Sequence, residues 1–164
     1  MDLNRLTQKS QEALAEAQSK AVTYGHVEVD GEHLLWALLD QSDGLVPRLL
    51  QRMDIRPEHV KQEVENELDK RPHVSGPGTE QGKILISQRL SRILVAAENE
   101  AKRLKDEYVS VEHLLMALVA EGEKTPSGKI LKRAGIDREK LLTTLTAVRG
   151  NQRVQSANPE ASYE

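Results

Sequence analysis

Two acid and imidazole pairs, Glu32-His33 and Glu112-His113, are the residues whose types and spacing come closest to chemistry. Neighbouring carboxylate and imidazole groups can ligate a metal, relay a proton or receive a cation. A helical zinc site needs two histidines four residues apart with a glutamate between them. Each histidine here directly follows its glutamate, and His26, His59 and His73 add no better pattern, so the spacing argues against a metal. In the first turn of a helix, Glu32 and Glu112 gain roughly 0.3–1 kcal/mol from the helix dipole. As carboxylates at related positions they can also receive a guanidinium. His33 and His113 are expected to pack their rings over the following turn. Thr7 reads as a helix N-cap first and a surface hydroxyl ligand second.

Two segments imitate a phosphate-binding loop, which requires four residues between its glycines and then Lys followed by Ser or Thr. Gly122 and Gly128 have five residues between them before Lys129-Ile130, and Gly78 and Gly82 have three before Lys83-Ile84. Neither follows an expected strand, so no ATP binding and no resident cofactor are expected. No strand-turn-helix elbow presents a serine nucleophile either. No catalytic residue is therefore assigned. A freestanding helical hydrolase built from dispersed acids and histidines is the enzymatic reading that is left.

The elements that must position these residues follow from a duplication. Residues 6–40 align without a gap on 86–120, at an offset of 80, with 11 identities in 35 positions. Beyond residue 44 a one-residue insertion restores the match, so that Leu50, Arg52, Ile55 and Glu58 meet Leu131, Arg133, Ile136 and Glu139. Two copies are too few for a solenoid, and the economical arrangement is two similar halves closing one core.

Within each copy, apolar residues recur at helical spacing between clear start and stop signals. Thr7, Asp30, Ser87, Ser110 and Asp137 are the caps, Pro57 opens a helix, and Gly25 and Gly135 end two others. Leu90, Ile93, Leu94, Ala97 and Ala101 form the buried stripe of one helix, whereas Val95 shares the opposite face with Ser91, Glu98 and Lys102. No segment alternates with period two. The expected fold is all-α, about eight helices as a pseudo-two-fold tandem repeat of two four-helix lobes. Repeat one spans 1–70, a Pro- and Gly-rich linker 71–85, repeat two 86–150, and a polar tail without core-forming period 151–164.

Composition narrows the partners. The 23 basic and 26 acidic residues leave a net charge of −3, with one Trp, three Tyr and no Phe, so neither phosphate attraction nor base stacking supports nucleic-acid binding. Cysteine is absent, no apolar run reaches the length of a membrane span, and no signal-peptide pattern opens the chain. A cytoplasmic protein with no membrane partner is expected.

The duplicated unit beginning at Leu6-Thr7, with Glu-His-Leu-Leu opening the second helix of both copies, resembles the Clp amino-terminal domain of the AAA+ Clp ATPases. Asp2 to Thr7, Ala101 to Leu118 and Val148 to Val154 most resemble its ClpB disaggregase branch, as does Asn158-Pro159-Glu160-Ala161, which there leads into the first ATPase module. The resemblance implies a non-catalytic, monomeric module that contacts unfolded or aggregated polypeptide and helps deliver it to a hexameric ATPase ring working with a DnaK-type chaperone. ATP and magnesium then belong to modules outside this chain. It also implies that Thr7, Asp106 and Glu112 form one polar surface site for substrate. Leu90, Leu94, Val95 and His113 would line an apolar groove, with Ala96 and His113 in place of larger apolar residues. The related ClpC domain implies an alternative, in which Glu32 and Glu112 receive phosphorylated arginine or an adaptor protein. Here Asp30-Gly31 and Ser110-Val111 replace the Gly-Thr that precedes the glutamate in that branch.

Overall fold

A computed structural model describes residues 2–73, 85–150 and 152–159; most of the expected linker 71–85, with Gly78 and Gly82, lies outside the described residues. A 3₁₀ turn at Leu3–Arg5 leads into α1 (Gln8–Tyr24), followed by α2 (Gly31–Asp40), α3 (Leu45–Arg52) and α4 (Pro57–Asp69). The second copy gives α5 (Gln88–Arg103), α6 (Val111–Ala120), a 3₁₀ turn at Gly122–Lys124, α7 (Pro126–Arg133) and α8 (Arg138–Arg149).

Local chemistry explains the boundaries. The Thr7 hydroxyl accepts from the Ser10 amide and the Ser87 hydroxyl from the Leu90 amide, so the equivalent long helices start with the same cap. Gly25, at φ 71°, ends α1 in the left-handed region where a side chain would be strained. Pro57 occupies the first turn of α4, where its missing N–H costs nothing.

Helices α2 and α6 are apolar nearly all round and therefore lie in the centre. Every residue from Gly31 to Leu39 and from Val111 to Leu118 is buried. One continuous hydrophobic cluster runs through both copies, from Leu6 and the alanines of α1 to Leu141 and Leu145 of α8.

One element departs from the all-helical expectation. Glu28–Val29 (β1) and Leu85–Ile86 (β2) pair in parallel, with Val29 opposite Ile86. Two residues are too short for alternation to announce a strand. A parallel bridge also joins Leu6 to Val109. At the offset of 80 these are the same pair, because Leu6 corresponds to Ile86 and Val29 to Val109. The residue ahead of each copy's first helix thus pairs with the loop ahead of the other copy's second helix. This reciprocal clasp ties the start of each copy to the other.

The tail packs although no core-forming period announces it. Residues 152–159 lie back against the domain, with Val154 fully buried and Pro159 buried as well. A single valine held by backbone hydrogen bonds has no period to detect.

Candidate functional site

Helices α2 and α6 begin with an unusual cap. His33 Nδ1 accepts from the Asp30 amide at 2.9 Å, and His113 Nδ1 accepts from the Ser110 amide at 2.9 Å. The imidazole fills the place usually taken by Glu or Gln in a capping box. With Nδ1 accepting, Nε2 is left to donate, to His26 Nδ1 in the first copy and to Asp106 Oδ2 in the second, both at 2.8 Å. Burial, reinforced by the Arg71 guanidinium, pushes His33 down to about 3, so its ring is neutral at ordinary pH and is a structural cap. Among the described residues no group of three His, Asp or Glu is placed to hold a metal.

Both glutamates are fully buried and already matched by arginines of the same chain. Glu32 pairs with Arg71 and Arg89 and accepts from the Ser127 amide at 3.2 Å. Asp30 joins this cluster, accepting from Arg71 at 3.2 Å, the Ser87 hydroxyl at 2.9 Å and the Gly31 amide at 2.8 Å. Burial alone would raise its carboxyl, yet the Gly31 amide, Arg89, Ser87 and Arg71 together hold it below the usual range. Glu112 meets Arg149 Nη1 at 3.4 Å, and Arg149 Nη2 meets Asp106 Oδ1 at 2.6 Å.

The structure brings Thr7, Asp106 and Glu112 into one neighbourhood. The Thr7 amide donates to the Val109 carbonyl at 3.0 Å, Ser10 Oγ donates to the same carbonyl at 2.9 Å, and Asp106 and Glu112 flank Val109 in sequence and share Arg149. The expected polar surface site is nevertheless corrected, because all three are buried. Thr7 is turned inward by capping α1, and the two carboxylates are turned inward by Arg149. Sequence reasoning missed Arg149 as their partner, since a basic residue at the end of α8 looks like an ordinary match for the helix dipole.

The expected groove is corrected in the same way. Leu90, Leu94 and His113 belong to the core, Ala96 is half-buried, and only Val95 stands in solvent. An apolar groove does exist, displaced from the predicted one. A hollow of about 240 Å³ opens between α1, α5 and the strand pair, lined by Leu3, Leu6, Leu14, Val29, Ile86 and Leu90, with Gln11 and Gln18 at its rim. Leu3 is 58% exposed, Val27 54%, Leu85 67% and Ile86 45%, and Val95 at 50% is the remaining large exposed apolar residue among those described. Leu3 and Ile86 line the hollow, Leu85 neighbours Ile86 on the strand pair at its edge, and Val27 precedes that pair. The signal was present in the sequence, since Leu3, Leu85 and Ile86 precede the caps Thr7 and Ser87, where no helical stripe needs them.

The glycines of one phosphate-loop lookalike have a packing role. A Cβ on Gly128 would lie 1.8 Å from the Gly122 carbonyl oxygen, so the first turn of α7 rests directly on the preceding loop.

The chain is thus a duplicated helical frame whose buried acids are paired with arginines and which carries an apolar hollow between α1 and α5. Residues 5–134 match the Clp repeat (R) N-terminal domain, and the chain belongs to that family. It is 54% identical over 164 residues to the chaperone protein ClpB of Nitratidesulfovibrio vulgaris strain Hildenborough and 49% identical over 164 residues to ClpB of Bacillus anthracis. In both cases the match covers 100% of this chain and 19% of the relative, so the chain spans about a fifth of those proteins. The Hsp104 N-terminal domain of Candida albicans has the same fold, with a TM-score of 0.79 at 24% identity, covering 94% of this chain and 98% of that one.

Proposed function

We propose that this domain is the polypeptide-binding module of a ClpB-type AAA+ disaggregase. It engages exposed apolar segments of unfolded or aggregated proteins in the hollow between α1 and α5 and helps deliver them to the ATPase ring. The observation that carries this reading is the apolar lining of one hollow, to which Leu3 and Ile86, two of the five large exposed apolar residues among those described, both contribute. Unfolded chains differ from folded ones by displaying apolar side chains, and a hollow this small and open holds them weakly enough for onward transfer. Neutral rims of Gln11 and Gln18 suit clients of any charge.

In this reading the domain is non-catalytic and monomeric, and ATP and magnesium act in the modules that the rest of such a protein supplies. The whole protein would be a hexamer in the cytoplasm, working with a DnaK-type chaperone, and no helix among the described residues is long and apolar enough to cross a membrane. The alternative receptor for phosphorylated arginine or adaptors has less support. Glu32 and Glu112, its recognition groups, are buried against Arg71, Arg89 and Arg149, which occupy the place an incoming guanidinium would take.

Titrating an unfolded client into isotope-labelled protein tests the proposal. Shifts should concentrate on Leu3, Leu14, Val29, Ile86 and Leu90. Saturable shifts confined to Val95 and its neighbours would move the binding site elsewhere, and no shifts at all would remove the binding role.

A further inference from the structure

Positions 26 and 106 are equivalent in the duplication, yet one is histidine and the other aspartate. His26 receives the His33 proton and contributes a ring to a stack with Tyr24 and His73. Asp106 receives the His113 proton in the same way and has a second oxygen to spare. That Oδ1 accepts from Arg149 Nη2 at 2.6 Å and from the Val154 amide at 2.9 Å. Arg149 in turn donates through Nε and Nη2 to the Gln152 carbonyl, at 3.1 and 3.0 Å, folding the chain back just after Gly150, which sits at φ 60°. From there the tail crosses the domain as a strap. The Glu107 amide donates to the Val154 carbonyl and the Gln8 amide to the Ala157 carbonyl, both at 2.7 Å.

We infer that Asp106 is a positioning residue that latches the segment 152–159 to the domain, so fixing the direction in which the chain leaves it. Glu112 steadies Arg149 from its other side, and Thr7, by capping α1, sets the Gln8 amide on which the far end of the strap rests. The trio that sequence reasoning assigned to substrate contact thus acts on the strap. In the longer proteins this chain resembles, a latched strap holds the domain at a set orientation, and a released one becomes a tether with roughly 25–30 Å more reach. Asp106 is also held down at about 2; burial opposes this, and the His113 and Arg149 hydrogen bonds outweigh it, so the latch is charged at neutral pH. The inference is independent of the hollow between α1 and α5.

Amide hydrogen exchange on this chain tests it through three amides from three separate segments, those of Gln8, Glu107 and Val154. In the unmodified protein all three should be protected. In Asp106→Asn, and in Val154→Asp, which places a second carboxylate beside the first, all three should exchange at least about tenfold faster. The amides of Asp106 and Leu114, bonded to Ala101 and Ser110, should keep their protection. Should Asp106→Asn unfold outright, Val154→Asp decides alone, because the buried carboxylate it introduces can reach water by release of the strap. An unmodified protein with Gln8 and Val154 unprotected, or Val154→Asp with Gln8 and Glu107 still protected, would overturn the latch.

Discussion

Ile86→Asp is the sharpest test of where client binds. Ile86 lines the hollow with 45% of its surface still exposed, so the fold does not depend on its full burial. Completely burying an isoleucine is worth roughly 1.5–3 kcal/mol, and the portion left for a client to cover is therefore worth about 1 kcal/mol. An aspartate facing an apolar client segment adds a desolvation cost, bringing the expected loss to about 1–2 kcal/mol, or roughly five- to thirtyfold in Kd. Val95→Asp is the matched control. Val95 is five residues beyond Leu90 on α5, about 140° round the helix at 100° per residue, and it does not line the hollow. Fluorescence anisotropy of a labelled, permanently unfolded client, with both variants checked for matching thermal stability, gives the comparison. Weakening by Ile86→Asp alone places the client in the hollow. Equal affinity for Ile86→Asp and the unmodified protein would refute the reasoning, and weakening by Val95→Asp alone would restore the groove on the other face of α5.

Three further outcomes are expected. Because the Asp106 carboxyl is lowered from 3.8 to about 2, its stabilisation is complete above about pH 4 and is lost as pH falls through 2; Asp106→Asn should flatten the melting temperature over that range, and an unchanged slope would contradict the pairing. Glu32→Ala leaves Arg71 and Arg89 without their buried partner and should cost about 3 kcal/mol in urea denaturation, the lower end for a broken buried pair because both arginines can still reach water; a loss under about 1 kcal/mol would mean the cluster is dispensable. Gly128→Ala drives a methyl into the Gly122 carbonyl and should lower stability by at least about 2 kcal/mol by calorimetry, whereas an unchanged melting temperature would show that the α7 contact is loose.

The helical frame was legible because its signals are local. Thr7, Asp30, Ser87 and Asp137 cap helices by reaching three or fewer residues along the chain, and the stripe from Leu90 to Ala101 repeats every turn. What stayed hidden depends on residues far apart. Arg149 finds Asp106 across 43 positions and Arg89 finds Glu32 across 57, so neither pair leaves a spacing to read. Without those partners, Glu112 and Asp106 look like surface acids. The histidine caps escaped for a different reason: the capping box is sought with Glu or Gln at its third position, and an imidazole does the same work through Nδ1. Leu90 and Leu94 were correctly read as core and then also assigned to a groove by resemblance; Leu94 stays in the core alone, whereas Leu90 is buried and also lines the hollow.

The duplication itself accounts for where the hollow sits. It creates two equivalent edges, Leu6 with Val109 and Ile86 with Val29, and at each the valine is buried, so that only the residue ahead of the first helix is left to be covered or exposed. At the first edge the strap lands on Gln8 and Glu107, the residues beside Leu6 and Val109, and Leu6 is fully buried. At the second, Ile86 stays half-exposed and the hollow opens beside it. The substitution that separates the two edges is the pair His26 and Asp106, since only the carboxylate can draw in both a guanidinium and a backbone amide. Exchanging them, with His26→Asp and Asp106→His in one chain, should therefore free the strap without creating a second latch, because Arg71, the basic residue following α4, is already engaged by Asp30 and Glu32. Loss of exchange protection at Gln8 with no gain at Val27 is the expected reading. A gain at Val27 would show that the carboxylate alone can recruit a strap, and that Arg149 is dispensable to the latch.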